Sequence, residues 1–579
     1  MKSIPRPEYP NPIFEREDWQ NLNGYWDFEI DNGNSGEERG LYKNGVKLSQ
    51  SIKVPFCPES PLSGINNKDF MTSVWYKRTV KVTAQQLDNR VFIHFGAVDF
   101  FTTVYINSEK AGTHFGGYAS FSFEITHLLK EGENFIAVHA QDDTRSPMQA
   151  RGKQSELFYS HGCDYTRTTG IWQTVYLEFV PKSYIKSVRY FPNTENSSVL
   201  IEAQLCGEGT FEARAYFNGK QVGYSSAKAV SGDTVFCPIE LSEKHLWELG
   251  TGGLYDLDLS FCLDKVKSYF GLRRVNIENG KFLLNGESTF MRMVLDQGFY
   301  PDGIYTAPTE EALIRDIELS MSVGFNGARL HQKIFEPRFL YHCDRLGYMV
   351  WGEHGNWGID ISDFTCLKYY LPEWLEALER DFNHPSIIGW CPFNETWDYK
   401  GRRQDGELIR TVYLATKAYD KTRPCIDTSG NFHVQTDIYD IHDYEQNPTV
   451  FFNNYNKFMT GGELFESVLV HHPARQKHNG EPVFMSEYGG IKWSEDEGDK
   501  KAWGYGNAPK TKKEFFERYE GLTGTLLDND KFIGFCYTQL TDVEQEQNGI
   551  FTYDRKPKFD KEVLKKINSR KARIEKDLL

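Results

Sequence analysis

Several features that would mark other classes of protein are missing from this sequence. No run approaches the ~20 consecutive apolar residues of a membrane-spanning helix, and the first residues, MKSIPRP, continue into polar sequence without the apolar stretch of a signal peptide. Basic residues are not in excess either, because 66 Lys and Arg stand against 81 Asp and Glu, for a formal net charge of -15. We therefore expect a cytoplasmic protein that binds neither membranes nor nucleic acids.

Cysteine patterns typical of metal sites are also absent. The ten cysteines are scattered, without a Cys-x-x-Cys pair or the Cys/His spacing of a zinc site. Most lie in apolar sequence, such as residues 261–263 (FCL), which favours reduced, buried thiols. No cofactor is predicted, and no set of acidic residues is distinctive enough to assign a divalent cation.

Aromatic side chains, in contrast, are abundant. Phe, Tyr and Trp make up 15% of the 579 residues, and aromatic rings both stack on sugars and fill the cores of β-sandwiches. The proportions of hydrophobic (39%) and charged (25%) residues are typical of a folded globular protein. At about 150 residues per domain, the length predicts three or four domains.

The pattern of predicted strands and helices divides the chain into three parts. Residues 1–180 contain short alternating strands separated by Gly, Asn and Asp, which predicts an N-terminal β-sandwich of the jelly-roll type. Residues 181–277 form a second all-β block whose length suits an immunoglobulin-like β-sandwich. In residues 278–579, apolar strands alternate with amphipathic helices, as in a parallel α/β fold.

The third part contains eight candidate strands, the number that closes a (β/α)8 TIM barrel. They are residues 290–294, 325–329, 348–351, 387–393, 424–427, 438–441, 483–486 and 533–537. Catalytic residues of such barrels lie at the carboxyl ends of the strands. The sequence after each candidate strand is therefore where a site is expected.

Two glutamates follow candidate strands four and seven. Glu395 comes after residues 389–394 (GWCPFN), and Glu487 comes after residues 483–486 (VFMS). A glutamate just past a strand is ordinarily a surface residue, but two at matching ends of one strand series favour a shared site. A glycosidase needs two carboxylates that flank one bond.

The motifs around these glutamates resemble those of glycoside hydrolase family 2, which contains β-galactosidases, β-glucuronidases and β-mannosidases. Residues 394–395 (NE) resemble its acid/base motif, and residues 486–489 (SEYG) resemble its nucleophile motif. Similarity at residues 270–273 (FGLR), 282–286 (FLLNG) and 343–347 (CDRLG) extends the resemblance over nearly the whole chain. The resemblance implies the same three-domain order and a retaining exo-glycosidase.

The implied mechanism is a double displacement through a covalent glycosyl-enzyme. Glu395 is expected to be protonated at rest and to give its proton to the glycosidic oxygen, while ionised Glu487 attacks the anomeric carbon. Water activated by Glu395 then releases the sugar with retained configuration. The two carboxyl groups should accordingly lie about 5 to 5.5 Å apart.

The resemblance also implies substrate-binding residues. Asp164 would reach the barrel mouth from the jelly roll, Arg329 and His331 would lie beside the nucleophile, and Tyr444 would bond to it, with Tyr439 as a neighbouring alternative. Asp164 and His331 also have ordinary interpretations, as a turn aspartate and a rim histidine. The remaining candidates of this group are Arg167, His354 and Asn394.

The segment after the eighth candidate strand departs from the family pattern. Tyr537 stands where many members have a tryptophan, so the platform for a sugar ring would be smaller. β-Glucuronidases have an Asn-x-Lys pair in this region whose lysine neutralises the sugar's carboxylate, whereas Asn548 here precedes Gly and Ile. Glu544 and Glu546 either bind sugar hydroxyls or a cation, or belong to a solvated loop. A neutral sugar is favoured, because a uronic acid would meet repulsion unless another Arg or Lys reaches in.

The leading prediction is hydrolysis of terminal non-reducing β-D-galactosides. The alternatives within the family are β-glucuronidase or β-galacturonidase, β-mannosidase and α-L-arabinopyranosidase. The alternative from another class is a carbohydrate-binding protein that has this fold without catalysis. The expected partner is a terminal β-linked sugar, and family precedent predicts a homo-oligomer, either a dimer or a tetramer.

Overall fold

The computed structural model describes residues 4–230, 232–398, 401–472, 475–495 and 500–576. Each of three consecutive regions has its own hydrophobic core, which is the predicted multidomain architecture. Residues 1–3 and 577–579, which the first and last predicted domains include, lie outside the described residues. Among the helices of the described ranges, none combines the length and the apolar character needed to cross a membrane.

The N-terminal region is a β-sandwich of two antiparallel sheets. One sheet has the order Gln50–Val54, Gly24–Ile30, Ser73–Val82, Gly132–Gln141, Phe101–Ile106 and Glu109–Phe115. The other has the order Trp19–Asn21, Val175–Val180, Arg90–Phe95 and Phe121–Glu124. Smaller elements are the paired strands Gly170–Ile171 and Val98–Asp99, the helix Ala84–Leu87, and the 3-10 turns Pro61–Ser63 and Thr126–Leu128. The region therefore consists of short strands in a β-sandwich, as the sequence predicts.

The middle region is the predicted immunoglobulin-like sandwich. Its three-stranded sheet has the order Tyr184–Asn193, Ser198–Cys206 and Thr234–Glu240. Its four-stranded sheet has the order Lys220–Ala229, Gly209–Phe217, Leu254–Phe261 and Asp264–Gly271. Buried and exposed residues alternate strictly along Thr234–Glu240, because one face of the strand packs on the core and the other meets solvent. A small sheet of Val275–Glu278, Lys281–Leu284 and Glu287–Ser288 leads into the last region.

The C-terminal region is a TIM barrel in which seven strands form one parallel sheet. In chain order these are Met291–Asp296, Gly327–Leu330, Met349–Glu353, Ile387–Cys391, Tyr439–Asp443, Val483–Gly489 and Phe532–Thr538. The helices are Glu310–Ser322, Pro337–Leu346, Leu367–Asp381, Gly406–Tyr419, Pro448–Met459, Lys512–Leu527 and Lys561–Asn568, with 3-10 turns at Phe364–Cys366, Ser467–Val470 and Arg573–Glu575. Most of these strands are apolar runs buried on both faces, as expected for a sheet covered by helices.

The fifth predicted strand, residues 424–427, is much reduced. Cys425 forms a single parallel bridge with Trp390, and a two-residue strand, Thr428–Ser429, pairs with Phe393–Asn394. The side chain of Asp427 accepts the backbone N–H groups of three following residues, Thr428, Val434 and Gln435. An aspartate that binds local backbone donors favours a turn over a continued ladder, and the chain bends here.

Candidate active site

A long loop of the N-terminal sandwich, residues 142–169, forms one wall of the barrel mouth. The hydroxyl of Tyr165 donates to Glu546 at 2.5 Å, and the backbone N–H of Thr166 donates to Glu544 at 3.2 Å. These bonds attach the loop to the segment after the last barrel strand. The mouth is therefore built jointly by the sandwich and the barrel.

Glu395 and Glu487 lie on the same rim of the barrel. One carboxylate oxygen of each, together with a ring nitrogen of His442, lies within 4.8 Å of the others. Glu395 has a φ of 44°, an unusual backbone conformation for a residue other than glycine, and its N–H donates to Ser429 at 2.9 Å. Such conformations cost about 1–3 kcal/mol and concentrate at functional sites.

Glu487 is held by donors from two other parts of the rim. Arg329 Nη1 donates to its Oε1 at 3.1 Å, and the hydroxyl of Tyr444 donates to its Oε2. Tyr439 bonds instead to Glu466 at 2.7 Å, so Tyr444 is the tyrosine that contacts the second glutamate. These contacts fix the orientation of both Glu487 oxygens.

Arg329 connects the second glutamate to the rest of the rim. Its Nε donates to Glu353 at 2.5 Å, and its Nη2 donates to Asn394 at 3.1 Å. His331 also bonds to Glu353, and its Nε2 lies 3.9 Å from Glu487. Burial and the positive charge of Lys153 lower the pKa of His331 well below its ordinary value, so this ring is neutral.

Asn394 is held by the loop that follows the preceding barrel strand, Met349–Glu353. Its backbone N–H donates to Asn356 at 2.8 Å, and Asn356 donates back to its carbonyl at 3.0 Å. The side-chain Nδ2 of Asn394 is buried and has no hydrogen-bond partner among the described residues. A buried amide donor without a protein partner is available to a ligand hydroxyl.

His442 is a site residue that the sequence interpretation missed. Its Nδ1 lies 2.9 Å from Glu395 Oε1 and 3.5 Å from Glu487 Oε2. Burial alone would lower the pKa of His442, but the two carboxylates raise it above 6.5. Burial alone would likewise raise the pKa of Glu395, but His442 and Lys153 lower it below 4.5. The expectation of a protonated Glu395 at rest does not fit this site, because the histidine competes for the proton.

Lys153 is the second site residue that the sequence interpretation did not identify. It extends from the sandwich loop and lies 4.1 Å from the ring centroid of Trp357, without a salt bridge to any described residue. Burial alone would lower the pKa of Lys153, but its neighbours, among them Cys163 and the carboxylates of Glu546, Glu487 and Glu395, raise it. No local motif marks this lysine, because its neighbours come from distant parts of the chain.

A cleft of 490 Å³ opens beside Glu395. The loop of the sandwich forms one side of it and the ends of barrel strands three and four form the other. Its lining includes Asp164, Arg151, Trp357, Glu395 and the half-exposed Trp397. Asp164 is therefore at the barrel mouth as expected, and its carboxylate pairs with Arg151.

Two predicted substrate-binding residues lie away from this cleft. Arg167 donates to the carbonyls of Ser155, Leu157 and Lys68 and stacks on Phe70, so it braces the sandwich loop. His354 is 0% exposed and stacks on a buried tyrosine, with ring centroids 4.4 Å apart. The side chain of His354 is enclosed against the helix Leu367–Asp381, away from the cleft.

Two further predictions after the last barrel strand are also corrected. Tyr537 is fully buried, its hydroxyl accepts the N–H of Ile491 at 3.3 Å, and its ring packs in the barrel core, so it is not a sugar platform. Glu544 accepts the backbone N–H of Thr166 and joins the two domains rather than facing Glu395. Glu546 is the buried member of this acidic pair, and burial raises its pKa while Lys153 lowers it.

Among the residues that the structure describes, two groups of three side chains have metal-ligand spacing. Glu156, His161 and Asp164 form one, but Arg151 contacts both of its carboxylates and supplies the positive charge. The other is formed by the two rim glutamates and His442. In both groups, a protonatable or cationic side chain of the protein already balances the carboxylates.

Comparison with known proteins identifies the family. The model for the TIM barrel domain of glycosyl hydrolases family 2 matches residues 275–572, which is more than half of the chain, and the model for the sugar binding domain of that family matches residues 19–181. The chain belongs to glycoside hydrolase family 2.

Individual relatives are distant. A β-glucuronidase of Pongo abelii is 24% identical over 95% of this chain and 90% of its own length. A putative β-glucuronidase of Formosa agariphila is 26% identical over 67% of this chain, and a β-galactosidase of Thermoanaerobacter pseudethanolicus is 24% identical over 70%. The chain spans about half the length of these last two relatives, 47% and 54%.

Solved structures share the fold. The β-glucuronidase of Ruminococcus gnavus in complex with an N1-substituted uronic isofagomine has a TM-score of 0.78 at 19% identity, over 97% of this chain and 100% of that one. A β-glucuronidase of an uncultured Clostridium species has a TM-score of 0.77 at 20% identity, over 96% and 98%. At this identity the likeness concerns the three-domain architecture alone.

Proposed function

We propose that this protein is a retaining exo-glycosidase that acts on terminal β-linked sugars, with Glu395 as acid/base and Glu487 as nucleophile. The observation that carries the proposal is the approach of the two carboxylates to within 4.8 Å on one rim. Retaining enzymes separate these groups by about 5–5.5 Å, whereas inverting enzymes leave about 6.5–9.5 Å for a water molecule. The short separation therefore favours direct attack on the sugar.

The surroundings of the two glutamates suit these different roles. Glu487 is 5% exposed and oriented by Arg329 and Tyr444, as an attacking group must be. Glu395 is 18% exposed and borders the 490 Å³ cleft, where a leaving group would depart. The unpaired Nδ2 of Asn394 is available to a hydroxyl of the bound sugar. Together these features favour cleavage at the end of a chain, with the aglycone in the cleft.

A mechanism-based 2-fluoro glycoside tests catalysis against mere binding. If the proposal is right, it labels the protein covalently, and peptide mass spectrometry locates the sugar on Glu487. Glu487→Gln should abolish labelling, while Glu466→Gln, a change to a buried glutamate that bonds to Tyr439, should not. A protein that binds sugars without becoming labelled would be a carbohydrate-binding protein, and the enzymatic proposal would fall.

We further propose a neutral sugar, foremost a β-D-galactoside, as the substrate. The buried carboxylate of Glu546 lies among the groups around Lys153, in the region where a uronic acid would bring another negative charge. Lys153 already balances several carboxylates, so a neutral ring leaves the pocket electrostatically matched.

Lys153 also supports the second candidate, a β-D-uronide. It is a buried cation without a salt bridge among the described residues. A basic side chain that reaches into the site is what would allow a carboxylated sugar to bind there. The relatives named β-glucuronidase point the same way. Both sugars are therefore included in the test of specificity.

A panel of chromogenic glycosides with Lys153 variants decides between the two sugars. If the protein is a galactosidase, the wild type prefers the galactoside, and Lys153→Met changes kcat/KM for both glycosides without changing the ratio of the two values. For a uronidase, Lys153→Met lowers the ratio of uronide to galactoside kcat/KM by about 10- to 100-fold, as for loss of a charged contact worth about 1.5–3 kcal/mol. Lys153→Arg keeps the charge and should preserve most of the ratio.

A further inference from the structure

We propose that His442 is a positioning residue that stores, between turnovers, the proton that Glu395 delivers to the leaving group. The inference rests on the proposed glycosidase function and adds a third member to its proton chemistry. It is carried by the position of His442 Nδ1, which lies 2.9 Å from Glu395 and 3.5 Å from Glu487.

The hydrogen-bonding partners of the His442 ring show that a proton lies between His442 and Glu395. On its other side, His442 Nε2 lies 3.1 Å from the hydroxyl of Ser429. That hydroxyl has one hydrogen, which it donates to Asp440 at 2.5 Å, so it accepts from the ring. Nε2 therefore carries a hydrogen, and the pair of Nδ1 and Glu395 Oε1 shares a second one.

The charged groups around the ring come from three barrel strands and from the segment after Phe393–Asn394. Glu395 and Glu487 face Nδ1, while Arg329 Nη1 lies 3.5 Å from Nε2. Arg329 Nη1 already donates to Ser486 at 2.8 Å and to Glu487 at 3.1 Å, so it has no hydrogen left for the imidazole. Asp440 lies two residues before the histidine on its own strand, and neutral His331 directly follows the strand that carries Arg329. Two carboxylates facing one edge of the ring favour the imidazolium.

The proposed cycle conserves protons at every step. At rest Nδ1 holds the hydrogen and Glu395 is ionised. When substrate binds, the hydrogen passes from Nδ1 to Glu395 Oε1. Glu395 then passes it to the glycosidic oxygen as the bond between that oxygen and the anomeric carbon breaks, Glu487 bonds to the anomeric carbon, and the aglycone leaves as an alcohol. In the second step Glu395 removes a proton from water, the water oxygen bonds to the anomeric carbon, and the bond from that carbon to Glu487 breaks. The proton returns to Nδ1 once the sugar has left.

The pH dependence of kcat/KM tests this assignment. Two groups that share one proton hold it at least as tightly as either group would alone, so the pKa of the pair is at least as high as the pKa of Glu395 by itself. If His442 holds the proton, His442→Gln should therefore move the alkaline limb of the profile to lower pH. A shift of one pH unit means that the histidine holds the proton about ten times more often than Glu395 does, and we expect a shift of about one unit or more.

Leaving groups separate this role from a structural one. At pH values above the alkaline limb of the variant, His442→Gln should lose activity on an alkyl glycoside, because the alkyl aglycone needs a proton to leave. It should retain activity on a 2,4-dinitrophenyl glycoside, because that aglycone leaves without one. Equal losses on both, with an unmoved limb, would overturn the inference. Ser429→Ala, which removes the partner of Nε2, provides a second variant that should move the limb in the same direction. If wild type hydrolyses neither glycoside, the proposed function itself fails.

Discussion

At the scale of single residues, the orientation of Glu487 depends on two donors that differ in kind. Arg329 is buried, and it also bonds to Glu353 and Asn394. Removing it would leave several buried groups without partners, so its loss would disturb the whole rim. Tyr444 contributes one hydroxyl, which also lies 3.1 Å from Thr538, while its ring stacks on Tyr505. A change at Tyr444 therefore isolates one hydrogen bond.

Tyr444→Phe should lower kcat by about 10- to 100-fold with little change in stability. The ring and its stacking are retained, and only the donor to Glu487 is lost, which is worth about 1.5–3 kcal/mol for a charged acceptor. Steady-state kinetics and circular dichroism measure the two effects. Tyr439→Phe is the matched control and should keep the wild-type rate, because Tyr439 begins the barrel strand that Tyr444 directly follows but bonds to Glu466. Equal kcat for the two variants would contradict the role of Tyr444.

At the scale of elements, the sandwich loop of residues 142–169 completes a site that the barrel alone leaves open. Its backbone bonds to the barrel through Arg151, whose N–H donates to the Trp357 carbonyl at 2.8 Å. It also brings Asp164 to the cleft and Lys153 to the rim glutamates. Substrate binding should therefore respond to changes on a domain that contributes neither rim glutamate.

Asp164→Asn should lower kcat/KM by about 10-fold or more while the protein stays folded. The substitution keeps the side-chain shape but removes the charge that pairs with Arg151 at the edge of the cleft. Glu156→Gln is the control, because Glu156 contacts the same guanidinium through its other nitrogen and is more exposed. An unchanged kcat/KM in Asp164→Asn would show that this aspartate only caps its loop.

At the scale of the whole molecule, buried ion pairs join the domains. Arg16 bonds to Glu178 of the N-terminal sandwich at 3.0 Å and to Asp264 of the middle sandwich at 2.8 Å. Burial alone would raise the pKa of Glu178, but His94, Arg16 and Tyr9 lower it from 4.5 to about 2. This carboxylate is ionised at the junction at any pH at which the protein would work.

Acid should weaken this junction in a defined pH window. Because the folded pKa of Glu178 lies below the unfolded value, its contribution is complete above about pH 4.5 and is lost as the pH falls towards 2. Glu178→Gln should therefore lower the thermal midpoint at pH 7, and its difference from wild type should shrink towards pH 2. Glu17→Gln, which removes an exposed contact to Lys267 across the same junction, should leave the midpoint unchanged. A difference for Glu178→Gln that is independent of pH would contradict this account.

The sequence by itself determined the domain order, most of the strands and the placement of Glu395 and Glu487 on one rim. Strand alternation and the run of apolar strands between helices are local patterns, and a closed parallel barrel carries the carboxyl ends of its strands to one face. The reduction of the fifth strand could not be predicted from local patterns, because the bend depends on several backbone N–H groups that donate to Asp427.

Only the tertiary structure decided which side chains accompany the two glutamates. His442 and Lys153 meet them across distant parts of the chain, and no local spacing encodes such contacts. His354 directly follows a barrel strand and Tyr537 lies within one, but both are buried and pack against helices that surround the barrel. The direction of a side chain at a strand end depends on the twist and closure of the sheet, which strand periodicity does not specify.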